Sequence, residues 1–359
     1  RLECAMKIKA LSLLTLTAAI GSVQAENLKP ANWVLLPAIG SSPETGFQYG
    51  AYVMRQFEQV SLNQPQDRLE LLLQGTAKGQ FQAYIWPDFY VSGGDWNLYG
   101  TLGGKYWPTP YYEQGNDTGF DDDEEIYDLT TIETEFGAAY RVTPTLRVGG
   151  LVFADNESIE DDASDPLLSS DQRGFEGGFY SGLGLTARWD TRNDRDWPTA
   201  GSQASFTGRQ YFEFLGSDDN FGTIETDVGH YIAMGDDVIA LGANYDFGCE
   251  TTPFSRLPRP AGARTLRGAD GNLWVDHHLL GLQSEYRMTL SQRWAVTGFL
   301  DTAQVASELS EFGADRFHTS VGGGIRYSTI ADSRFNIRAD FGLVDMESFG
   351  FAISVGEAF

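Results

Sequence analysis

The amino-acid sequence predicts an all-β chain, a transmembrane antiparallel β-barrel of about sixteen strands, and three observations carry that prediction. Nearly every segment between polar turns alternates apolar and polar residues with a period of two. Aromatic residues, 23 Phe, 16 Tyr and 8 Trp, gather at the ends of those segments. A secretory leader comes first, and no later stretch is both long and apolar enough to cross a bilayer as a helix, so any membrane span is built from strands. A soluble sandwich would instead collect its apolar residues in one dry core and turn its charges outward.

Taken in order, RLECA before Met6 reads as an upstream remnant. Lys7, Lys9, the apolar run Ala10 to Ile20 and Val23-Gln24-Ala25 form a signal peptide. Residues 1–25 are thus remnant and leader, and 26–359 are expected to be a single barrel domain. The strands fall at 32–39, 46–57, 67–77, 81–91, 96–106, 126–141, 145–154, 179–190, 202–214, 221–234, 238–248, 279–290, 295–305, 318–329, 334–345 and 349–359. An even number returns both termini to one side. The tight turns VTPT (142–145), GDD (235–237), SQR (291–293) and ADS (331–333) fall on that side, while the acidic and long segments fall on the other, as in outer-membrane barrels. Pro37 is tolerable in a first strand that closes poorly against the last, and Pro87 marks a bulge or an early end of the fourth strand.

Alternation assigns faces. Asp301 shares the lumenal side with Thr297, opposite Val296 and Leu300, and Asp340 shares a side with Asn336 and Arg338. Glu285, Arg287 and Arg326 also point inward, and polar lining of a wet lumen accounts for them as well as any specific role does. In the last strand Phe349, Phe351, Ile353, Val355 and Phe359 face lipid, with Glu357 the exception on that face.

The formal charge is −25, and removing the leader takes it to about −27. Such a surface argues against nucleic acid as a partner. The acid concentrates in NDTGFDDDEE (116–125), ADNESIEDDASD (154–165) and GSDDN (216–220), read first as solvated loops and second as divalent-cation sites facing lipopolysaccharide. Cys4 leaves with the leader, so Cys249 has no internal disulfide partner.

One long irregular segment stands out, Thr251 to Asp276, with three prolines, three glycines and four arginines. Loops of that length usually have a function. Within TLRGADG (265–271), Arg267 sits between Leu266 and Gly268, where its guanidinium suits either an enclosed carboxylate or open solvent.

At this point the residues resemble a family. WDTRNDRDWPTAGSQASF (189–206), with Asp190, Arg192, Asp194, Pro198 and Gly201, resembles the signature turn after the eighth strand of BamA/TamA family barrels, the bacterial surface antigen type. TLRGADG is similar to that family's lumen-inserted loop motif, between strands eleven and twelve. AIGSSPETGFQYG (38–50), SEYR (284–287), FLDTA (299–303), VGGGIRY (321–327), RADFG (338–342) and FAISVGEAF resemble its other barrel motifs. The resemblance implies that Leu266, Arg267 and Gly268 lock the loop inside the lumen, with Asp301 as first choice of partner and Asp340 as second. It also implies a gating seam between first and last strands, involving Pro37, Phe351, Gly356 and Phe359. Ala269 replaces an aromatic and Ala303 a glycine of the family pattern, so looser anchoring is expected. Only Glu26 to Ala31 precede the first strand, which is expected of a branch lacking the periplasmic repeat domains.

Three functions follow. The first is an outer-membrane assembly or translocation factor assisting insertion or transport of protein or lipid. Its partners would be outer-membrane lipid and lipopolysaccharide, unfolded outer-membrane proteins or a periplasmic partner, with pairing of two barrels left open. The alternative is a passive or gated pore plugged by the 251–276 loop. A hydrolase would have to use His277, His278 and Ser284, yet Ser284 faces lipid and adjacent histidines on a strand point to opposite faces. No enzyme activity, cofactor or metal is therefore expected.

Overall fold

A computed structural model of the chain describes residues 28–42, 45–61, 64–161, 167–260, 262–328 and 334–359. The leader, the end of the second acidic segment and the ADS turn lie outside the described residues. Sixteen strands are formed: β1 Asn32–Ser42, β2 Gly46–Gln56, β3 Arg68–Thr76, β4 Phe81–Val91, β5 Trp96–Tyr111, β6 Glu125–Thr143, β7 Leu146–Glu160 and β8 Gly177–Asp190. They continue as β9 Gly201–Tyr211, β10 Gly222–Met234, β11 Asp237–Gly248, β12 His278–Thr289, β13 Trp294–Ala306, β14 His318–Ser328, β15 Asn336–Val344 and β16 Ser348–Val355. Each pairs with its sequence neighbours and β1 meets β16, closing the barrel.

Alternation decides what each face meets. Along β13, Ala295, Thr297, Phe299 and Asp301 are buried while Trp294 and Leu300 are exposed. The same outward face elsewhere carries Leu102, Ile132, Phe136, Val152, Leu185, Leu282, Val321 and Phe341. This apolar belt would be a liability in water and is the required surface in lipid. Strands β5 to β7 run further than their apolar alternation indicates. Pairs such as Thr109–Tyr127 and Thr130–Ser158 continue the ladder where the side chains are polar and the belt has ended.

Both prolines are accommodated without a bulge. Pro87 pairs with Leu69 on β3, and β4 continues to Val91, so the strand neither bulges nor ends early. The β4–β5 ladder skips Trp86 and Pro87 and resumes in the same register, from Ile85–Leu102 to Asp88–Tyr99. The missing proline N–H thus opens a short gap in one ladder.

The end of the chain corrects the sequence reading. Gly356 adopts φ 73°, a left-handed conformation, so β16 stops at Val355. Glu357 then turns inward rather than facing lipid, accepting hydrogen bonds from Asn336 Nδ2 (2.7 Å) and Arg326 Nε (3.0 Å). Phe359, expected on the lipid side, packs against buried Tyr231, Val238 and Ala240. A carboxylate in hydrocarbon would be costly, and the lumen holds a guanidinium for it.

The seam between β1 and β16 differs from the other ladders. Among the described residues only Gly40–Ala352 and Ser41–Phe351 pair across it, whereas β1 pairs with β2 along its whole length. Pro37 lies in the unpaired stretch. There, Val34, Leu36, Tyr52, Met54 and Phe335 form a cluster against which Ile337 and Val355 pack, so apolar contact replaces backbone pairing. Hydrogen exchange of the folded barrel should therefore find seam-side amides of residues 32–39 among the least protected strand amides, well below those of β6 and β7. Equal protection would mean that the seam is fully paired in solution.

Candidate functional site

The segment between β11 and β12 folds into the barrel, and its arginines fasten it to the wall. Arg256 meets Asp155 (2.8 Å) and Glu157 (2.7 Å) on β7. Arg264, in the short helix Gly262–Thr265, bonds Asp227 on β10 (2.6 Å) and Asp246 on β11 through two nitrogens (2.6 and 2.7 Å). Arg259 braces the segment itself through Asn272 (2.6 Å) and the loop carbonyls of Phe254, Ser255 and Leu257.

Arg267 occupies the centre. Its side chain donates to both oxygens of Asp301, from Nε at 2.7 Å and Nη2 at 2.8 Å, and its backbone N–H adds a third bond at 3.2 Å. Nη1 donates to Glu285 Oε2. The guanidinium carbon lies 3.5 Å from the Phe299 ring centroid, within cation–π range. Arg267 is 3 % exposed, Glu285 2 % and Asp301 0 %, so water does little to screen the pairs.

The pairs belong to a larger network. Glu285 also accepts from Arg287 Nε (2.7 Å) and Arg326 Nη2 (3.1 Å). Arg326 reaches Asp340 (2.5 Å) and Glu357 (3.0 Å) as well. Asp340, the second choice of partner from sequence, is thus held by Arg326 instead of Arg267. Glu285, read as general lining, is shared by three guanidinium groups.

Glycines supply the space. Gly268 has φ 90° and rests against the paired positions Gly342 of β15 and Gly350 of β16. A Cβ on Gly350 would stand 2.4 Å from Gly268 Cα, and one on Gly342 would stand 2.2 Å from the Arg267 carbonyl oxygen. That carbonyl accepts a hydrogen bond from Ser320 Oγ at 2.5 Å. Leu266 completes the docking in a cluster with Leu273, Trp274, Leu279, Ala303, Val305 and Val344, against which Ala269 packs. Ala303 is buried within this cluster, and Trp274 brings an aromatic to it from further along the loop.

Trp274 also carries a cap that the sequence did not reveal. Its indole N–H donates to the Thr118 carbonyl (2.9 Å), and its ring stacks on His318 at 3.6 Å. His318 Nδ1 faces Asp345 (2.7 Å) and Nε2 faces the Asn116 carbonyl (2.8 Å). Gly115 N–H donates to the Val275 carbonyl (2.9 Å), so the acidic segment between β5 and β6 folds over the loop. No period-two pattern marks such contacts.

At the opposite end, the 191–200 turn forms a floor. Asp190 takes two bonds from the Arg192 side chain (3.0 and 2.7 Å), Asp194 caps the Asp196 and Trp197 amides, Pro198 is buried, and Gly201 has φ 96°. Asp196 receives Arg68 (2.7 Å), and Trp197 lies in the lumen with Arg287 5.5 Å from its ring centroid. Ser284 faces outward and donates to the Leu300 carbonyl, while His277 Nδ1 lies 3.0 Å from the Gly248 carbonyl.

The fold and these contacts define a class: a membrane barrel with a loop locked in its lumen and one weakly paired seam. The Omp85 superfamily domain matches residues 84–359, and the chain belongs to that superfamily. It is an integral outer-membrane β-barrel protein of a Gram-negative bacterium. No curated protein matches in sequence. Its fold is similar to BamA from Haemophilus ducreyi lacking POTRA domains 1-3 (TM-score 0.60, 13% identity), covering 90% of this chain and 70% of that one. It is also similar to CdiB from Acinetobacter baumannii (0.60, 13%, 91% and 60%) and CdiB from Escherichia coli (0.56, 11%, 92% and 63%). The chain thus spans less than two thirds of either CdiB chain.

Two outcomes are expected of the lock. Arg267→Ala leaves Asp301 and Glu285 buried without their central partner, a loss of about 3–5 kcal/mol. Gly350→Val keeps every charge but occupies the place of Gly268. Both should make residues 251–276 protease-sensitive in the folded barrel, and unchanged resistance in both would refute docking through these contacts.

The cap has its own pH signature. Burial alone would raise the Asp345 carboxyl, but the His318 hydrogen bond and the Thr319 N–H outweigh it and hold it below the usual range. A depressed carboxyl stabilises above its unfolded value, about 3.9, and that contribution is lost as pH falls through the folded value. Protection of the Gly115 amide should thus survive to about pH 4 and decline only below it. Asp345→Asn should remove the acid-dependent component, and the same acid profile in that variant would exclude Asp345 as its source.

Proposed function

We propose that this chain assists the insertion of polypeptide into the outer membrane at its β1–β16 seam, while the locked loop keeps the lumen closed. The observation that carries the reading is the contrast between the two closures. The loop is fixed by buried, multiply bonded charge, whereas the seam has two paired positions and an apolar patch. Unpaired N–H and C=O groups along an edge can template an added strand, and a weak seam exposes them at lowest cost.

The working unit on this reading is the barrel, residues 26–359. Its partners are outer-membrane lipid, lipopolysaccharide and unfolded outer-membrane proteins, delivered directly or by a periplasmic protein. A plugged pore is the competing reading. It draws on the acid-rich outer segments, which would favour cations at the mouth.

Reconstitution into liposomes separates the two, following insertion of an unfolded test barrel by native chain, Arg267→Ala and empty liposomes. Acceleration by the native chain that weakens in Arg267→Ala is expected. No acceleration by either, with conductance that rises when Arg267 is removed, would overturn insertion in favour of the plugged channel.

A further inference from the structure

Between the docked loop and the wall beside the seam lies a cavity of about 250 Å³. Gln48, Gln74, Gln82 and Trp107 line one side, and Arg338 and Ser354 line the other, with Ser41, Phe351 and Ala352 of the seam at its margin. The glutamines form a directed chain. Gln82 donates to Gln74, Gln74 to Gln48 (3.0 Å), and Gln48 to Thr45 Oγ1 (2.7 Å). A carboxamide has two donors and two lone pairs, so each keeps capacity for a ligand after these bonds.

Arg338 is the unusual group. It is 7 % exposed, and its Nε donates to Ser354 Oγ at 2.5 Å. Its nearest carboxylate oxygen, on Asp340, is 3.7 Å away, beyond hydrogen-bond range, because Arg326 holds the other oxygen of that group at 2.5 Å. Nη1 has no hydrogen-bond partner among the described residues. Arg267, Arg287 and Arg326 each donate to a carboxylate at 2.7 Å or closer, whereas Arg338 has none in hydrogen-bond range. Both Nη atoms of Arg287 also lack a hydrogen-bond partner among the described residues, but that guanidinium lies among the Trp197, Tyr231 and Phe359 rings and does not line the cavity. A buried guanidinium nitrogen without an acceptor is an expensive state unless a ligand completes it.

We infer that this cavity binds an extended polypeptide segment through a carboxylate held by Arg338, with the Gln48–Gln74–Gln82 wall engaging its backbone amides. The inference rests on the insertion reading, since the cavity margin is the seam at which such a segment would enter. Other occupants fit less well. A polyphosphorylated headgroup would need several uncommitted cations, and among the described residues lining the cavity only Arg338 is in that position. Acyl chains would leave the Arg338 Nη1 and the three carboxamides without partners.

The test uses the full chain in lipid nanodiscs and calorimetric titration with a short Gly/Ser/Thr peptide carrying a single aspartate. Its asparagine counterpart and inorganic phosphate serve as comparisons. The aspartate peptide is expected to bind about tenfold more tightly than the asparagine peptide, as one charge-assisted hydrogen-bonded pair provides. Arg338→Gln should abolish that preference, and Gln74→Ala should weaken both peptides alike. Heat-modifiable gel migration checks that each variant is folded, and the peptide comparison on the native chain tests the site even if Arg338→Gln does not fold. Absence of binding, equal affinity for the two peptides, or phosphate binding as tightly as the aspartate peptide would overturn the proposal. Accelerated test-barrel insertion without peptide discrimination removes the site and leaves the function. Discrimination without acceleration removes the function and leaves a peptide site.

Discussion

The structure depends on burying the Arg267 guanidinium inside a membrane barrel. Removing a cation from water is costly, and a single partner seldom repays it unless most of its donors are used. Here Asp301 takes two side-chain donors and the backbone N–H, Glu285 takes another, and the Phe299 ring lies against the guanidinium face. The carboxylates in turn require cations, which is why Arg287 and Arg326 gather on Glu285. Charge alone would not dock the loop. Its backbone reaches the wall because Gly342 and Gly350 have no side chains where Arg267 and Gly268 lie. Close approach and charge pairing are therefore one constraint, since either without the other leaves charge buried and incompletely bonded.

This geometry links the two closures of the barrel. Gly350 belongs to β16, the strand whose other edge forms the seam. Movement of β16 away from β1 would shift the surface on which Gly268 rests. Glu357, just beyond that strand, is bonded to Arg326, which shares Glu285 with Arg267. The last strand thus touches the plug both by backbone packing and through a chain of ion pairs. A weak seam beside a rigid plug is more than a juxtaposition, because the same strand participates in both.

Much of this was legible in the sequence, for a definite reason. A strand repeats every two residues, so Asp301, Glu285, Arg287 and Arg326 could be assigned to the lumen by counting from apolar neighbours. The loop was legible from its length and its arginines. Counting gives a face but not a partner, and it could not say that Asp340 would go to Arg326 while Glu285 served three guanidinium groups. It failed where alternation stops. Gly356 adopts a left-handed turn, which sends Glu357 and Phe359 inward although parity assigned them to lipid. Trp274, His318, Asn116 and Trp197 act from loops and strand ends, where no period exists. The seam was legible through the family resemblance and through Pro37, whose missing N–H is tolerated where pairing is absent.

The distribution of charge bears on what the barrel is built to do. The chain has twice as many acidic as basic residues, 50 against 25, yet the acid is used in two different ways. Asp117, in the segment over the loop, has a side chain 86% exposed, as expected of a solvated surface. The lumenal carboxylates Asp155, Glu157, Asp227, Asp246, Glu285 and Asp301 are instead bonded to loop arginines. A cation-selective pore would need such groups unpaired along its path, because a carboxylate already neutralised by a guanidinium attracts a passing cation weakly. Here the loop consumes them. Acid that could have lined a conduit instead holds the loop in the lumen, so the same carboxylates cannot serve both as a conduit lining and as the loop's anchors.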